Sequence, residues 1–259
     1  MNTIRSILLF STLLILGFTN TGFAFLDTSD MEESLKGMEE DLGGTNEFDD
    51  LLEELDQAAG ENADAYLTIT INGQTTTLFD VPKGAWFYSS VQALSSLGIV
   101  SGYKNAQGKL TGEYKPANNV THAEAAKIAT LLAGIDQASC TGELKHRGID
   151  GHWAAPYIRC AEKYNFGIPV AMDINAEASR AEVLHYFLMA FEVEIPEGAP
   201  PFADSRDHRY KNDIAYAYAL EIISGDTNAD GSEKGTFRPD AKINRAETAK
   251  MARLAMELL

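Results

Sequence analysis

Basic residues are scarce in this 259-residue chain: 21 Lys and Arg stand against 38 Asp and Glu, for a formal net charge of −17. Phosphate contacts need clustered Lys and Arg, so this balance excludes nucleic-acid binding and argues against passive adhesion to anionic lipid. Cysteine is scarcer still, with only Cys140 and Cys160. Neither lies near the N-terminal apolar run, which excludes a lipid-modified cysteine anchor. Beyond that run no stretch is long and apolar enough to span a bilayer. Catalytic spacings are also missing. The histidines (His122, His146, His152, His185 and His208) show no HExxH pattern, and there is no G-x-S-x-G elbow or phosphate loop. His146 and His152 flank Asp150 and read as loop residues rather than metal ligands. An enzyme is therefore the weaker reading.

What is present begins with Arg5, an apolar run from Ile7 to Phe18, and Gly22-Phe23-Ala24 with small residues at the −3 and −1 positions. This layout predicts a secretory signal peptide over residues 1–24, and the break at Thr19-Asn20 argues against a retained membrane anchor. Export raises the expectation of a Cys140–Cys160 disulfide, a structural staple with no redox role; two separate buried thiols are the alternative. Residues 25–62 are acidic, with Glu32-Glu33, Glu39-Glu40-Asp41 and Glu53-Glu54 among leucines. They read as a solvated arm, partly disordered or helical. The alternative is an amphipathic segment that docks on a protein partner. Residues 63–79 predict a β-hairpin, because Asn72-Gly73 separates the β-rich runs Tyr66–Ile71 and Gln74–Phe79.

The remainder is self-similar. Gly102 to Glu124 aligns without a gap with Gly225 to Glu247: glycines 102, 108 and 112 meet 225, 231 and 235, Tyr114 meets Phe237, and Pro116 meets Pro239. A middle segment from Trp153 to Phe191 shares the aromatic start and Ser179-Arg-Ala-Glu182, with a shorter connecting loop that lacks the Gly and Pro pattern. Each unit predicts helix, loop, helix. The first helices carry one apolar face: Phe87, Val91, Leu94 and Leu97; then Ala154, Ile158, Ala161 and Tyr164; then Tyr210, Ile214, Ala217 and Leu220. The second helices open on a capping box, with Thr121, Ser179 or Asn244 at the cap and Glu124, Glu182 or Glu247 three residues later. Ala125, Ile128, Ala129 and Leu132, with Thr248, Met251, Ala252 and Ala255, form their buried stripes. A lone pair of helices cannot cover such stripes, so the units are expected to share one core. The predicted boundaries are 79–135, 140–193 and 202–259.

Phe79-Asp-Val-Pro…Trp86…Leu97-Gly-Ile-Val-Ser-Gly-Tyr103…Tyr114-Lys-Pro116…Val120-Thr-His-Ala-Glu-Ala-Ala-Lys127 resembles the S-layer homology (SLH) family. The segment Phe202-Ala-Asp204…Ile222-Ile-Ser-Gly225…Gly235-Thr-Phe-Arg-Pro-Asp240…Ile243-Asn-Arg-Ala-Glu-Thr-Ala-Lys250 is similar too. The resemblance implies a mainly α fold of three helix-loop-helix repeats packed as a pseudo-threefold unit. Here a β-hairpin and an acidic N-terminal arm would precede it. It also implies an exported cell-envelope or cell-surface protein, held non-covalently by cell-wall polysaccharide or peptidoglycan in grooves between repeats. Arg245 and Arg180 match the family's signature arginine, a planar fork suited to carboxylates at a helix N-terminus. His122 replaces it in the first repeat, so that groove is expected to be weak near neutral pH and stronger on protonation. Trp86 and Trp153 hold the aromatic start, where core packing and sugar stacking are both open. Asp226, Asn228 and Asp230 look like half of a calcium loop, but Phe237 stands where the closing Glu belongs. No cofactor is expected, with calcium as the exception to be tested. A scaffold acting through the acidic arm, without glycan binding, is the alternative function.

Overall fold

The computed structural model describes residues 65–71 and 73–259. The chain divides into two units, Met1–Ala59 and Gly60–Leu259, and every described residue lies in the second. The signal segment and the whole acidic arm, residues 1–24 and 25–62, therefore fall outside the described residues.

Strand β1 (Tyr66–Ile71) and strand β2 (Gln74–Pro82) pair antiparallel, with Ile71 opposite Gln74. Gly73 sits at φ 79°, the left-handed conformation a two-residue hairpin turn demands. β2 runs three residues past the expected end at Phe79, and a bulge between Tyr66 and Leu67 absorbs the mismatch. Alternation decides the faces. Leu67, Ile69, Leu78 and Val81 enter the core, while Thr68 and Thr77 join hydroxyls across the outer face.

Six α-helices follow among the described residues: α1 (Tyr88–Ser96), α2 (His122–Leu132), α3 (Ala155–Lys163), α4 (Arg180–Ala190), α5 (Lys211–Ala219) and α6 (Arg245–Leu258). Capping boxes form in full at Thr121/Glu124, Ser179/Glu182 and Asn244/Glu247, fixing where α2, α4 and α6 start. The predicted face of α1 buries Val91 and Leu94 but leaves Leu97 59% exposed. The helix has ended there. Gly98 turns left-handed at φ 70°, the amides of Gly98 and Ile99 return to the carbonyls of Ser95 and Leu94, and Ile99 goes inward instead.

Packing follows a cycle. Helices α2, α4 and α6 touch one another, and each first helix lies on the second helix of another pair: α3 on α2, α5 on α4, and α1 on α6. α4 is apolar nearly all round (Val183, Leu184, Tyr186, Phe187 and Leu188 are fully buried), which is the composition of a central helix. The segments that lead into α2, α4 and α6 close a ring of backbone hydrogen bonds. Val120 N–H donates to Ile243 O (2.9 Å), Ile243 N–H to Ala178 O (3.3 Å), and Ala178 N–H to Val120 O (2.8 Å). All three residues have no solvent exposure. The ring satisfies backbone groups that burial would otherwise orphan.

Cys140 and Cys160 are bonded, with a Cα–Cα separation of 5.0 Å. The bridge ties the short 3-10 turn Gln137–Ser139 to α3. Replacing both cysteines by serine is expected to lower unfolding free energy by about 3 kcal/mol, the chain-entropy value for a loop near this length. Urea unfolding of the variant against the oxidised wild type measures it, and a difference under about 1 kcal/mol would remove the staple role.

Candidate functional site

The signature arginines do not sit in the grooves of their own helix pairs. Arg245, first residue of α6, reaches the loop between α1 and α2. Its Nε donates to Tyr114 O (2.8 Å), a terminal nitrogen donates to Ser101 O (3.0 Å), and the other lies 3.5 Å from Glu124. The guanidinium is held over the rings of Tyr103 (4.9 Å) and Tyr114 (4.5 Å). Burial pushes the Tyr114 phenol up to about 12, so it stays neutral beside the cation and donates to Arg245 O. A groove of about 500 Å³ opens here, lined by Tyr103, Lys104, Glu124, Lys127, Arg245 and Trp153 over the apolar Ile99, Val100 and Ile128.

Arg180, first residue of α4, does the same for the loop between α5 and α6. Its Nε donates to Phe237 O (3.0 Å), a terminal nitrogen bonds Glu247 (2.9 Å), and the guanidinium lies over the Phe237 ring. Burial lowers its pKa, against the pull of Glu247. The matching groove, about 370 Å³, is lined by Trp86, Arg180, Asp226, Thr227, Glu247 and Lys250 over Ile222, Ile223 and Met251. Both volumes fall in the range of small-molecule sites, about 300–1,000 Å³.

The two grooves are built alike, each from three helix pairs. One gives the arginine, the next gives Glu, Lys and the loop, and the third gives the tryptophan. At the floor, Gly102 and Gly225 bring the loop against its own returning limb. A Cβ there would lie 3.0 Å from Glu113 O or Thr236 O, and the following amides of Tyr103 and Asp226 donate to those same oxygens. Asp80 and Asp204 complete each loop by accepting amide hydrogen bonds from Tyr114 and Lys115, or from Phe237 and Arg238.

Trp86 and Trp153 are 58% and 52% exposed. They are groove walls rather than core residues. The helix-capping glutamates do two jobs, since Glu124 and Glu247 also face the arginines. Lys127 and Lys250 lie one turn beyond those glutamates on the same face and carry no role in the sequence reading. Their spacing from the capping Glu, three residues in both helices, is the signal that marks them. Burial and the nearby Lys104 and Arg245 lower the Lys127 pKa, while Glu124 opposes them.

His122 corrects the expectation of a third groove that strengthens on protonation. It lines neither groove. Its ring is buried, with Nδ1 2.9 Å from the Tyr186 hydroxyl. Burial lowers its pKa, against the pull of Glu182. His185, at the position of Lys127 and Lys250, pairs with Asp213 and stacks on Tyr210. Arg209 stands where the other pairs have tryptophan, with its guanidinium over the same Tyr210 ring. A histidine with a depressed folded pKa is kept neutral by the fold. Stability is then fully present above the unfolded value near 6.5 and falls as pH drops below it. His122→Gln is accordingly expected to flatten the fall in melting temperature between about pH 7 and pH 5. An unchanged slope would assign that loss to other groups.

The half calcium loop is otherwise engaged. Asp226 is bound by Arg238 and Thr236, Asp230 by Ser232, and Asn228 donates to the Ser232 hydroxyl. Arg238 and Thr236 hold the Asp226 carboxyl below the usual range, although burial opposes them. His146 is buried between Glu162 and Pro169 O, and His152 Nδ1 accepts from the Ala154 amide. Among the described residues no group of His, Cys, Asp or Glu is placed to hold a metal ion, and no helix is long and apolar enough to cross a membrane.

The S-layer homology domain model matches residues 80–126 and 201–249, the first and third helix-loop-helix segments up to the start of their second helices. Cell surface glycoprotein 1 of Acetivibrio thermocellus is 30% identical over 182 residues, covering 62% of this chain and 7% of its own length. The cellulosome-anchoring protein of the same organism is 30% identical over 155 residues, covering 56% of this chain and 34% of its own. The chain thus spans about a third or less of these relatives.

Proposed function

We propose that this is a cell-surface protein attached non-covalently to a cell-wall glycan, and that the Arg245 groove is its main point of attachment. The observation that carries the reading is the recurrence of one side-chain set, Arg, Glu, Lys and Trp around an Ile-Val-Ser-Gly or Ile-Ile-Ser-Gly loop, in two separate grooves. A core needs no such repeated set at its surface. Half-exposed tryptophans suit the faces of sugar rings, and guanidinium and ammonium groups suit carboxylate substituents. The two matched domains and the relatives' names, a surface glycoprotein and an anchoring protein, favour the same reading.

On this reading residues 140–193 are a third, degenerate repeat and the three repeats form a pseudo-threefold unit. The cyclic helix contacts and the ring of Val120, Ala178 and Ile243 support that. The corner at His122 is then a groove lost to core packing. The glycan would be wall polysaccharide or peptidoglycan, and Asp226 is assigned to Arg238 rather than to calcium. Sedimentation of the purified protein with isolated cell walls tests the proposal. Pelleting that is lost in the Arg180→Ala, Arg245→Ala double variant is the expected result. A wild-type protein that stays in solution, or a double variant that pellets equally, overturns it.

A further inference from the structure

The two grooves share a plan but differ in charge, and the difference traces to two positions. The Arg245 groove holds Lys104, Lys127 and Arg245 with one carboxylate, Glu124. Among the described residues neither Lys104 nor Lys127 pairs with a carboxylate, and Lys127 is partly shielded from water. Tyr103 closes the wall and also lies under the Lys115 ammonium (4.7 Å).

In the Arg180 groove Asp226 replaces Tyr103 and Thr227 replaces Lys104. The Asp226 carboxylate binds Arg238 through two of its nitrogens, at 2.9–3.0 Å, and accepts the Thr236 hydroxyl. Arg238 lies 3.8 Å from Glu247, which binds Arg180 at 2.9 Å. Charges thus alternate along Asp226, Arg238, Glu247 and Arg180; with Lys250 counted, the two lining cations Arg180 and Lys250 are balanced by Asp226 and Glu247, whereas the Arg245 groove keeps an excess of two positive charges. An incoming anion would meet Asp226 at the wall, would find Thr227 where the other groove offers Lys104, and would compete with a carboxylate held closer to its arginine, Glu247 at 2.9 Å from Arg180 against Glu124 at 3.5 Å from Arg245. A neutral polyol meets no such cost: fixed carboxylate oxygens accept from hydroxyls, guanidinium N–H groups donate to them, and Trp86 offers a ring face.

We propose that the grooves read different residues of the wall polymer, the Arg180 groove taking an uncharged sugar ring and the Arg245 groove an anionic substituent. This rests on the attachment reading above and adds the chemical class that each groove selects. Two-site reading of this kind gives avidity only to a polymer that presents both residues at the right spacing, which favours one wall glycan over others of equal charge.

The chain carries its own reporters. It has two tryptophans, and each lines one groove. In the Trp153→Phe variant fluorescence reports the Arg180 groove through Trp86; in Trp86→Phe it reports the Arg245 groove through Trp153. The probes are methyl β-glucoside and methyl β-glucuronide (glucuronate), which share ring and aglycone and differ in the carboxylate at C6. Trp86 should respond to both with affinities within about threefold, with little change on adding salt. Trp153 should favour glucuronate by about tenfold or more, a preference that salt removes, as screened charge requires. Asp226→Tyr in the Trp153→Phe background should give Trp86 a preference for glucuronate. Equal preferences at both tryptophans, a tenfold preference of Trp86 for glucuronate without the Asp226 change, or silence at both with either probe overturns the inference. Wall sedimentation of the wild-type protein is scored separately. A wild-type protein that pellets, with variants that show one shared preference, sinks only the inference, and a wild-type protein that does not pellet sinks the attachment reading.

Discussion

Arg245→Ala is expected to weaken retention on isolated walls by roughly 10- to 100-fold, the value of one or two charge-assisted hydrogen bonds at about 1.5–3 kcal/mol. The side chain is nearly enclosed, with its fork already oriented by Tyr114 O, Ser101 O and the two tyrosine rings. Little rotamer entropy is left to lose on binding, which is why its truncation costs more than that of an exposed Lys104. Some stability must go too, because Arg245 joins α6 to the first loop, so a melting curve accompanies the binding isotherm. Arg245→Lys separates the terms. It restores the charge without the planar fork, and should recover salt-dependent attraction but only part of the affinity. Full recovery with lysine would mean that only a point charge is read, and the bidentate assignment would fall.

The largest expected loss of stability from a single polar change lies at Asp80. Its carboxylate accepts from the amides of Tyr114 (2.8 Å) and Lys115 (2.6 Å), 34 and 35 residues away. Lys115 is held at φ 57°, a left-handed conformation that costs a non-glycine residue about 1–2 kcal/mol. Asp80→Ala would leave the amide of the buried Tyr114 without its partner and free Lys115 to relax. The two charge-assisted hydrogen bonds lost amount to about 2–4 kcal/mol, and the relaxation of Lys115 offsets part of that. Arg245 bonds the Tyr114 carbonyl, so wall retention should fall along with stability. A larger loss is expected in a Lys115→Gly background, where no left-handed strain is left to be relieved; the double-mutant cycle reads that coupling. An Asp80→Ala protein within about 0.5 kcal/mol of wild type would show that the clamp holds nothing.

Local features were legible because they are written locally. Capping boxes, the hairpin turn and the helical faces each depend on residues within a turn or two, and the gapless match of 102–124 to 225–247 exposed the repeat. The two cysteines left a single intramolecular pairing. The assembly of the grooves was not legible. Arg245 serves a loop 131 to 144 residues earlier, and nothing in its neighbours says so. His122 looked like a titratable stand-in for arginine because its burying partner, Tyr186, lies 64 residues away. Trp86 and Trp153 left two readings open, and their exposure argues against core packing. The Asp226–Arg238 pairing was hidden in a loop that reads as half a cation site; only the fold brings a guanidinium onto that carboxylate.

The ring of Val120, Ala178 and Ile243 has a consequence in time. A chain delivered to the cell surface N-terminus first presents its opening repeat long before residue 243 follows. Until then the Val120 amide has no native acceptor, and the Arg245 groove has a floor and a tryptophan wall but no arginine. The Arg180 groove is unfinished as well, since its loop and its Glu247 come from the same late segment. Neither site exists on a partly delivered chain. On the proposed function, attachment would therefore have to follow closure of the ring.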